Sequence, residues 1–411
     1  MRDGTRFPGL LAMLFIAVAL FLCVLPATAS DRAYPVSEAL PPPTPTTGLT
    51  DKANTRRQFW FQPKAWNDGL KQHGISGNIS FTNDWSLLRS LRSSPPDSAE
   101  RYLLDARLTL RTDQLLGWNG GTASVRLHHY FGDDGSERLG DAQGFSNIDD
   151  VPRNILYELW FQQTLLEGKV RMKFGKVDAN TEFARVESAG NFLNSSMGYS
   201  PTILSLPTYP EPQPSANLFL RPGPYSFGLG LYRAGAGSAL LLGEAGRGWN
   251  IGRLPGRGSF GFWHLSATLV DFDGDYSPGT RGYYAVMEQS LLRTQLAADS
   301  ERRLTAFLQY GSANERMSPF ARHVGGGVVL GAPSRRRARD EIGAGASWAG
   351  LSRMPQAGFD YPGELFFESY YSLSVSGWAA LVTDFQFVHH PGGRRDLPDA
   401  LVVTPRVVVS F

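Results

Sequence analysis

Glu158, Trp160 and Gln162 stand at alternate positions of one short segment, and Arg171 and Lys173 do so in the next. On an extended chain successive side chains point to opposite faces, so each set lies on a single face. Together they offer a carboxylate, an indole ring, an amide and two cations. Such groups recognise a ligand by stacking and by charge-assisted hydrogen bonds, and they contain no paired nucleophile and base.

Catalytic patterns are sparse elsewhere. No Gly-x-Ser-x-Gly elbow and no P-loop occurs. His128-His129 and His389-His390 are adjacent, so on a strand each pair splits across two faces and chelates poorly. Neither a metal nor any other cofactor is expected. An enzyme of the lipid-hydrolase kind would need a Ser/His pair at a membrane rim; His129 and His264 are present, but no serine partner is legible. The expectation is therefore that the protein is not an enzyme. Arg335-Arg336-Arg337 with Arg339 forms a basic run in a turn, suited to water or lipid headgroups.

The elements that must position these residues can be bounded from composition. The 411 residues carry 40 Lys+Arg against 38 Asp+Glu, a net charge of +2 that gives no electrostatic case for nucleic acid. Arg2 and Arg6 precede an apolar run from Leu10 to Leu25 and the small-residue site Pro26-Ala27-Thr28-Ala29, so residues 1–29 read as a secretory signal peptide. Cleavage there removes Cys23, the sole cysteine, and an exported chain without disulfides needs a large core or a membrane for stability. Residues 30–65 begin with Pro35, Pro41, Pro42, Pro43 and Pro45 and read as a flexible periplasmic leader.

The body, 66–411, is written with period two. Tyr102, Leu104, Ala106, Leu108 and Leu110 are apolar, and Asp105, Arg107, Thr109 and Arg111 between them are polar; 122–131 and 169–174 repeat the scheme. This alternation suits a soluble sandwich with a dry core as well as a membrane barrel with a wet lumen. Three features favour the barrel. Sixteen candidate strands run from 75–85 to 400–411, most near the ~9–11 residues that cross a bilayer. Tight connections such as 165–168, 222–224 and 376–377 contrast with long ones at 86–101, 132–153, 177–215 and 350–363, while 112–121, 252–257 and 331–340 are longish turns on the short side. The chain closes with Val403, Val407, Val409 and Phe411 on one face, a terminal-aromatic strand of the kind that barrel-assembly machinery reads. The fold class is thus an all-β, transmembrane antiparallel β-barrel, with short periplasmic turns and long extracellular loops. Of the 45 glycines, Gly228, Gly230, Gly325, Gly326, Gly327, Gly343 and Gly345 fall inside strands, where they permit close approach. Trp85, Tyr130, Trp348, Tyr371 and Trp378 near strand ends suit interface girdles.

Several segments resemble the carbohydrate-selective porins of Gram-negative outer membranes, the OprB-type family. These are Leu70-Lys71-Gln72-His73-Gly74-Ile75, Leu116 to Gly121, Glu158-Leu159-Trp160-Phe161-Gln162-Gln163, Phe174-Gly175-Lys176-Val177-Asp178-Ala179-Asn180, Phe192 to Ser196 and Pro207-Thr208-Tyr209-Pro210. Gly282-Tyr283-Tyr284, Glu288-Gln289, Arg339-Asp340, Glu368 with Tyr370-Tyr371, and Asp384-Phe385-Gln386 with Pro391-Gly392 keep the same order. The resemblance departs at Val382-Thr383-Asp384, where the family usually has proline before the aspartate, and the loops look short.

The resemblance implies a passive outer-membrane channel for mono- or small oligosaccharides, with a general porin as the alternative and a secreted glycan-binding β protein more remote. Neutral sugars would meet Glu158, Trp160, Gln162, Arg171 and Lys173 on the lumen wall. The connection 177–215 is the candidate constriction, with Asp178, Asn180, Glu182, Arg185 and Glu187 available. Implied partners are outer-membrane lipid, neutral sugars and the barrel-assembly machinery through Phe411, in a monomer or homotrimer.

Overall fold

The computed structural model describes residues 70–91, 96–297 and 300–410. The expected signal peptide, the leader and Phe411 lie outside the described residues.

Alternating polar and apolar side chains produce sixteen strands: β1 (Ile75–Ser90), β2 (Asp97–Arg111), β3 (Gly121–Gly132), β4 (Arg153–Leu165), β5 (Val170–Val177), β6 (Gln213–Leu220), β7 (Tyr225–Arg233), β8 (Ala239–Ile251), β9 (Leu254–Val270), β10 (Tyr276–Ala297), β11 (Ser300–Ala313), β12 (Phe320–Gly331), β13 (Glu341–Leu351), β14 (Gly363–Ser374), β15 (Ala379–His389) and β16 (Ala400–Ser410). Each pairs antiparallel with its sequence neighbours. β1 also pairs with β16, Ser80 opposite Ser410 and Ser90 opposite Ala400, so the sheet closes without an edge.

The two faces have exchanged the roles they hold in a soluble sheet. Leu104, Leu108, Leu127, Phe131, Phe174, Phe262 and Phe385 are exposed on the outer wall, whereas Arg101, Asp105, Arg126, Glu158, Lys173, Glu288 and Asp384 are buried on the inner one. Greasy-out and charged-in is the arrangement a bilayer selects. Tyr130 departs from the girdle expected for it: it points inward, is buried, and donates its hydroxyl to the carbonyl of Asp133.

Connections differ between the two rims. The periplasmic rim, which holds the start of β1 and the end of β16, has tight turns such as 166–169, 221–224 and 252–253. A short helix, Thr112–Leu116, fills the longer turn after β2. At the extracellular rim 133–152 and 178–212 are long, but 91–96 is not, because β1 and β2 extend into the stretch 86–101 expected as a loop.

Both long loops turn back into the barrel. Phe183, Tyr199, Ile203 and Leu204 of 178–212 pack on Phe219, Tyr232, Leu240, Leu242, Trp263 and Leu265 of the wall. Farther along, Phe192, Leu193 and Met197 meet Val286, Phe307, Val329 and Tyr370. The wall makes room with glycine. A Cβ on Gly230 would lie 2.5 Å from Oδ1 of Asn217 and 2.7 Å from the Phe183 ring. Gly230→Val is therefore expected to destabilise the protein by about 1–3 kcal/mol through overpacking, read as a lower midpoint for heat unfolding in detergent.

Candidate functional site

The residues singled out on β4 and β5 meet on the inner wall, and a β-bulge arranges them. Arg126 pairs with Glu158 and Leu127 with Leu156, which leaves Tyr157 without a partner and turns both Tyr157 and Glu158 into the lumen. Tyr157 stacks on His128 with ring centroids 3.7 Å apart and donates its hydroxyl to Asp178 Oδ2 at 2.6 Å. Glu158 lies 3.4 Å from both Arg126 and Arg107 and accepts the Asp178 N–H at 3.2 Å. Arg126 in turn binds Asp105 through two nitrogens, at 2.9 and 2.7 Å.

One turn of the ladder further, Trp160 and Lys173 face inward with the ammonium 4.1 Å from the indole centroid. Arg171 donates to Gln162 Oε1 at 3.1 Å and lies 3.9 Å over the Phe219 ring. Glu182, from the start of the inward loop, closes the group by binding Arg171 at 2.6 Å and Lys173 at 2.8 Å. Burial works to raise the Glu182 carboxyl, but Lys173 and Arg171 overcome it and hold it at about 2. Its contribution to stability is complete above its ordinary value of 4.5 and is lost as pH falls toward 2. The contact between loop and β5 is accordingly expected to persist above pH 4.5 and to weaken progressively as pH falls toward 2, detectable as protease sensitivity of 178–212 that rises across that window.

Exposure divides these residues by task. The side chains of Arg107 and Arg171 are 37% and 20% exposed, against 2% for Glu158 and 6% for Lys173 and Glu182. Trp160 and Gln162 are half-buried. Arg107, Trp160, Gln162 and Arg171 therefore present the accessible surface, and the buried three brace it. Asp178 and Asn180 fasten the loop rather than line open space. Asp178 accepts from Tyr157, from Thr208 Oγ1 at 2.7 Å and from the Asn180 N–H at 2.9 Å, and burial with the Glu158 charge raises its carboxyl. Asn180 is fully buried and donates to the Phe183 carbonyl. Arg185 is half-buried, and its carbonyl accepts from Arg257 at 2.7 Å.

A second set of functional groups lies outside the site read from the sequence, where Glu288 and Glu368 figure only in the family resemblance and Glu244 and Glu364 not at all. Glutamates of the inner wall receive backbone N–H groups of the inward loops: Glu244 from Ala184, Glu288 from Glu187 and Ser188, Glu368 from Leu193 and Asn194, and Glu364 from Ala142 and Gln143. The loop 133–152 thus enters the barrel too, and the loops bind each other where Ser195 N–H donates to the Gly144 carbonyl and Asn147 to the Phe192 carbonyl. Period-two parity places all four glutamates inward; that their partners are main-chain groups 60 to 222 residues away leaves no local mark.

Comparison with known proteins agrees with the barrel fold. The model for the carbohydrate-selective porin, OprB family, matches residues 97–411. The high-pH structure of Pseudomonas putida OprB is similar at a TM-score of 0.75 and 15% identity, covering 84% of this chain and 96% of that one. The low-pH structure of the same porin gives 0.56 and 17%, covering 90% and 99%. No curated protein matches the sequence.

Proposed function

The chain belongs to the OprB family of carbohydrate-selective porins and is a sugar channel of the Gram-negative outer membrane, and on that premise we propose that Arg107, Trp160, Gln162 and Arg171 are where it holds a passing sugar. Family and fold imply a channel rather than an enzyme. A sugar has flat C–H faces, which stack on an indole, and vicinal hydroxyls, which pair with a guanidinium or an amide. The observation that carries the reading is the division of one wall into an accessible row and buried braces. Glu158, Lys173 and Glu182 fix the row in place without occupying it. Contacts of this kind are few and partly wet, which suits a site that must also release.

Passage is passive and needs no cofactor, the loop 178–212 forms the constriction, and mono- or small oligosaccharides are the solutes. The C-terminal strand, with Phe411 at its end, is the segment read by the assembly machinery, and the assembled channel is a monomer or homotrimer.

Single-channel recording in a planar bilayer tests the site. Glucose added to one side is expected to block the wild-type current, and Trp160→Ala with Arg171→Ala to weaken that block about tenfold, as loss of ~1.4 kcal/mol of contact energy requires. Unchanged block in the double variant would remove these residues as principal contacts. Current indifferent to every sugar would leave a general porin.

A further inference from the structure

The outer wall of β7–β11 carries a hollow of about 520 Å³ near the periplasmic rim. It follows from strand register. One row across the wall reads Tyr225, Arg247, Gly258, Met287, Leu308, and the next reads Phe227, Ala245, Phe260, Ala285, Tyr310. Gly258, Ala245 and Ala285 form a low floor between large neighbours such as Phe227, Phe260 and Met287, so the lipid face is indented there. Trp249 borders the hollow and is fixed by its Nε1–H, which donates to Gln289 at 2.7 Å.

Charge distinguishes this hollow from a mere packing gap. Arg247 stands at its edge, its guanidinium 5.5 Å from the centroid of the Tyr225 ring, and makes no ion pair among the described residues. The adjoining turns bring Lys169, Arg221 and Arg253, also exposed and without an ion pair among the described residues, against the single acid Glu167. Other arginines at the same rim are neutralised: Arg293 is bound by Glu301 at 2.7 Å, and Arg111, farther round the barrel, by Asp113 at 2.8 Å. An uncompensated cationic rim above an apolar hollow complements a molecule with an anionic head and a hydrocarbon tail.

We infer that this hollow is a site for one anionic glycerophospholipid of the periplasmic leaflet, its acyl chain lying over Ala245, Gly258 and Ala285 and its phosphate on Arg247. The site is on the lipid face, so it is independent of the sugar contacts in the lumen.

The test uses the full-length protein in dodecyl maltoside micelles doped with acyl-brominated phosphatidylglycerol or acyl-brominated phosphatidylethanolamine. Bromine quenches nearby indoles, and the difference between wild type and Trp249→Phe isolates the Trp249 signal. Phosphatidylglycerol is expected to quench Trp249 at about fivefold lower mole fraction than phosphatidylethanolamine, the factor one basic residue contributes beside an anionic head. Arg247→Gln should erase that preference and Arg247→Lys should keep it. Equal quenching by the two lipids in wild type overturns the inference. So does shielding of Trp249 from both lipids in a protein that migrates as an oligomer, since a second copy of the chain then fills the hollow.

Discussion

Replacing Glu288 and Glu368 together with alanine is expected to raise single-channel conductance several-fold and to abolish sugar block, while the barrel still assembles. Glu288 accepts the Ser188 N–H at 2.7 Å, the Glu187 N–H at 3.2 Å and the Ser188 hydroxyl, and also binds Arg257. Glu368 accepts the N–H groups of Leu193 and Asn194 on the far side of the same loop. Alanine leaves at least two main-chain donors at each point without an acceptor, and each buried orphan costs about 1–3 kcal/mol. The loop escapes that cost by leaving the wall for water, so the loss appears as an open lumen rather than as an unfolded protein. Glutamine at both positions keeps an acceptor oxygen and should keep most of the block. Conductance equal to wild type in the double alanine variant would show that apolar packing alone seats the loop.

Arg101→Met is expected to lower the unfolding free energy by about 3–5 kcal/mol, the cost of leaving a buried charge without its partner. Arg101 lies 2.6 Å from Asp149 on the loop 133–152 and 3.8 Å from Asp84 on β1, with all three side chains fully buried. Arg406 holds Asp84 independently, at 2.6 and 2.7 Å, with Ser146 as a further donor. Asp149 is the group left exposed to the loss, keeping only the N–H and hydroxyl of Ser136. Burial already raises the Asp149 carboxyl to about 6, against the pull of Arg101. Without Arg101 it rises further, and a folded-state value above the ordinary one favours the folded protein below it and penalises folding as pH climbs through it. The deficit of the variant should therefore be larger at pH 8 than at pH 5 in urea unfolding from detergent. Adding Asp149→Asn should recover most of it; no recovery would assign the loss to packing of the arginine stem.

The barrel was legible because its code is local. Period two needs only neighbouring residues, and β3 at Gly121–Gly132 contains the whole segment 122–131 read from it. The code fades where an inward position is apolar because a loop covers it. Leu88 of β1 faces inward against Phe145 of the loop 133–152, so Trp85-Ser86-Leu87-Leu88 loses its polar face and reads as a connection. Leu240, Leu242 and Leu265 are apolar inward for the same reason, since they meet the loop 178–212, although their segments still read as strands. At the site, the inward placement of Glu158, Trp160, Gln162, Arg171 and Lys173 followed from parity, and the pairing of Glu182 with β5 did not, because no periodicity links a loop residue to the wall it folds onto. Tyr157 shows a third limit. A one-residue bulge reverses parity within a strand, and only the opposing strand reveals it.

The niches that receive the inward loop have a consequence for how solute preference can change. Phe183 sits over Gly230 and Met197 over Gly345, and in both places the wall has no side chain so that the loop can have one. Loop and wall are thus matched like a key and its wards. Grafting 178–212 onto another sixteen-stranded barrel would carry over the residues that face the solute without the vacant positions that seat them. Portable selectivity in this architecture requires moving the loop together with the glycines of β7 and β13 and the glutamates of β8, β10 and β14, a discontinuous module spread over half the circumference.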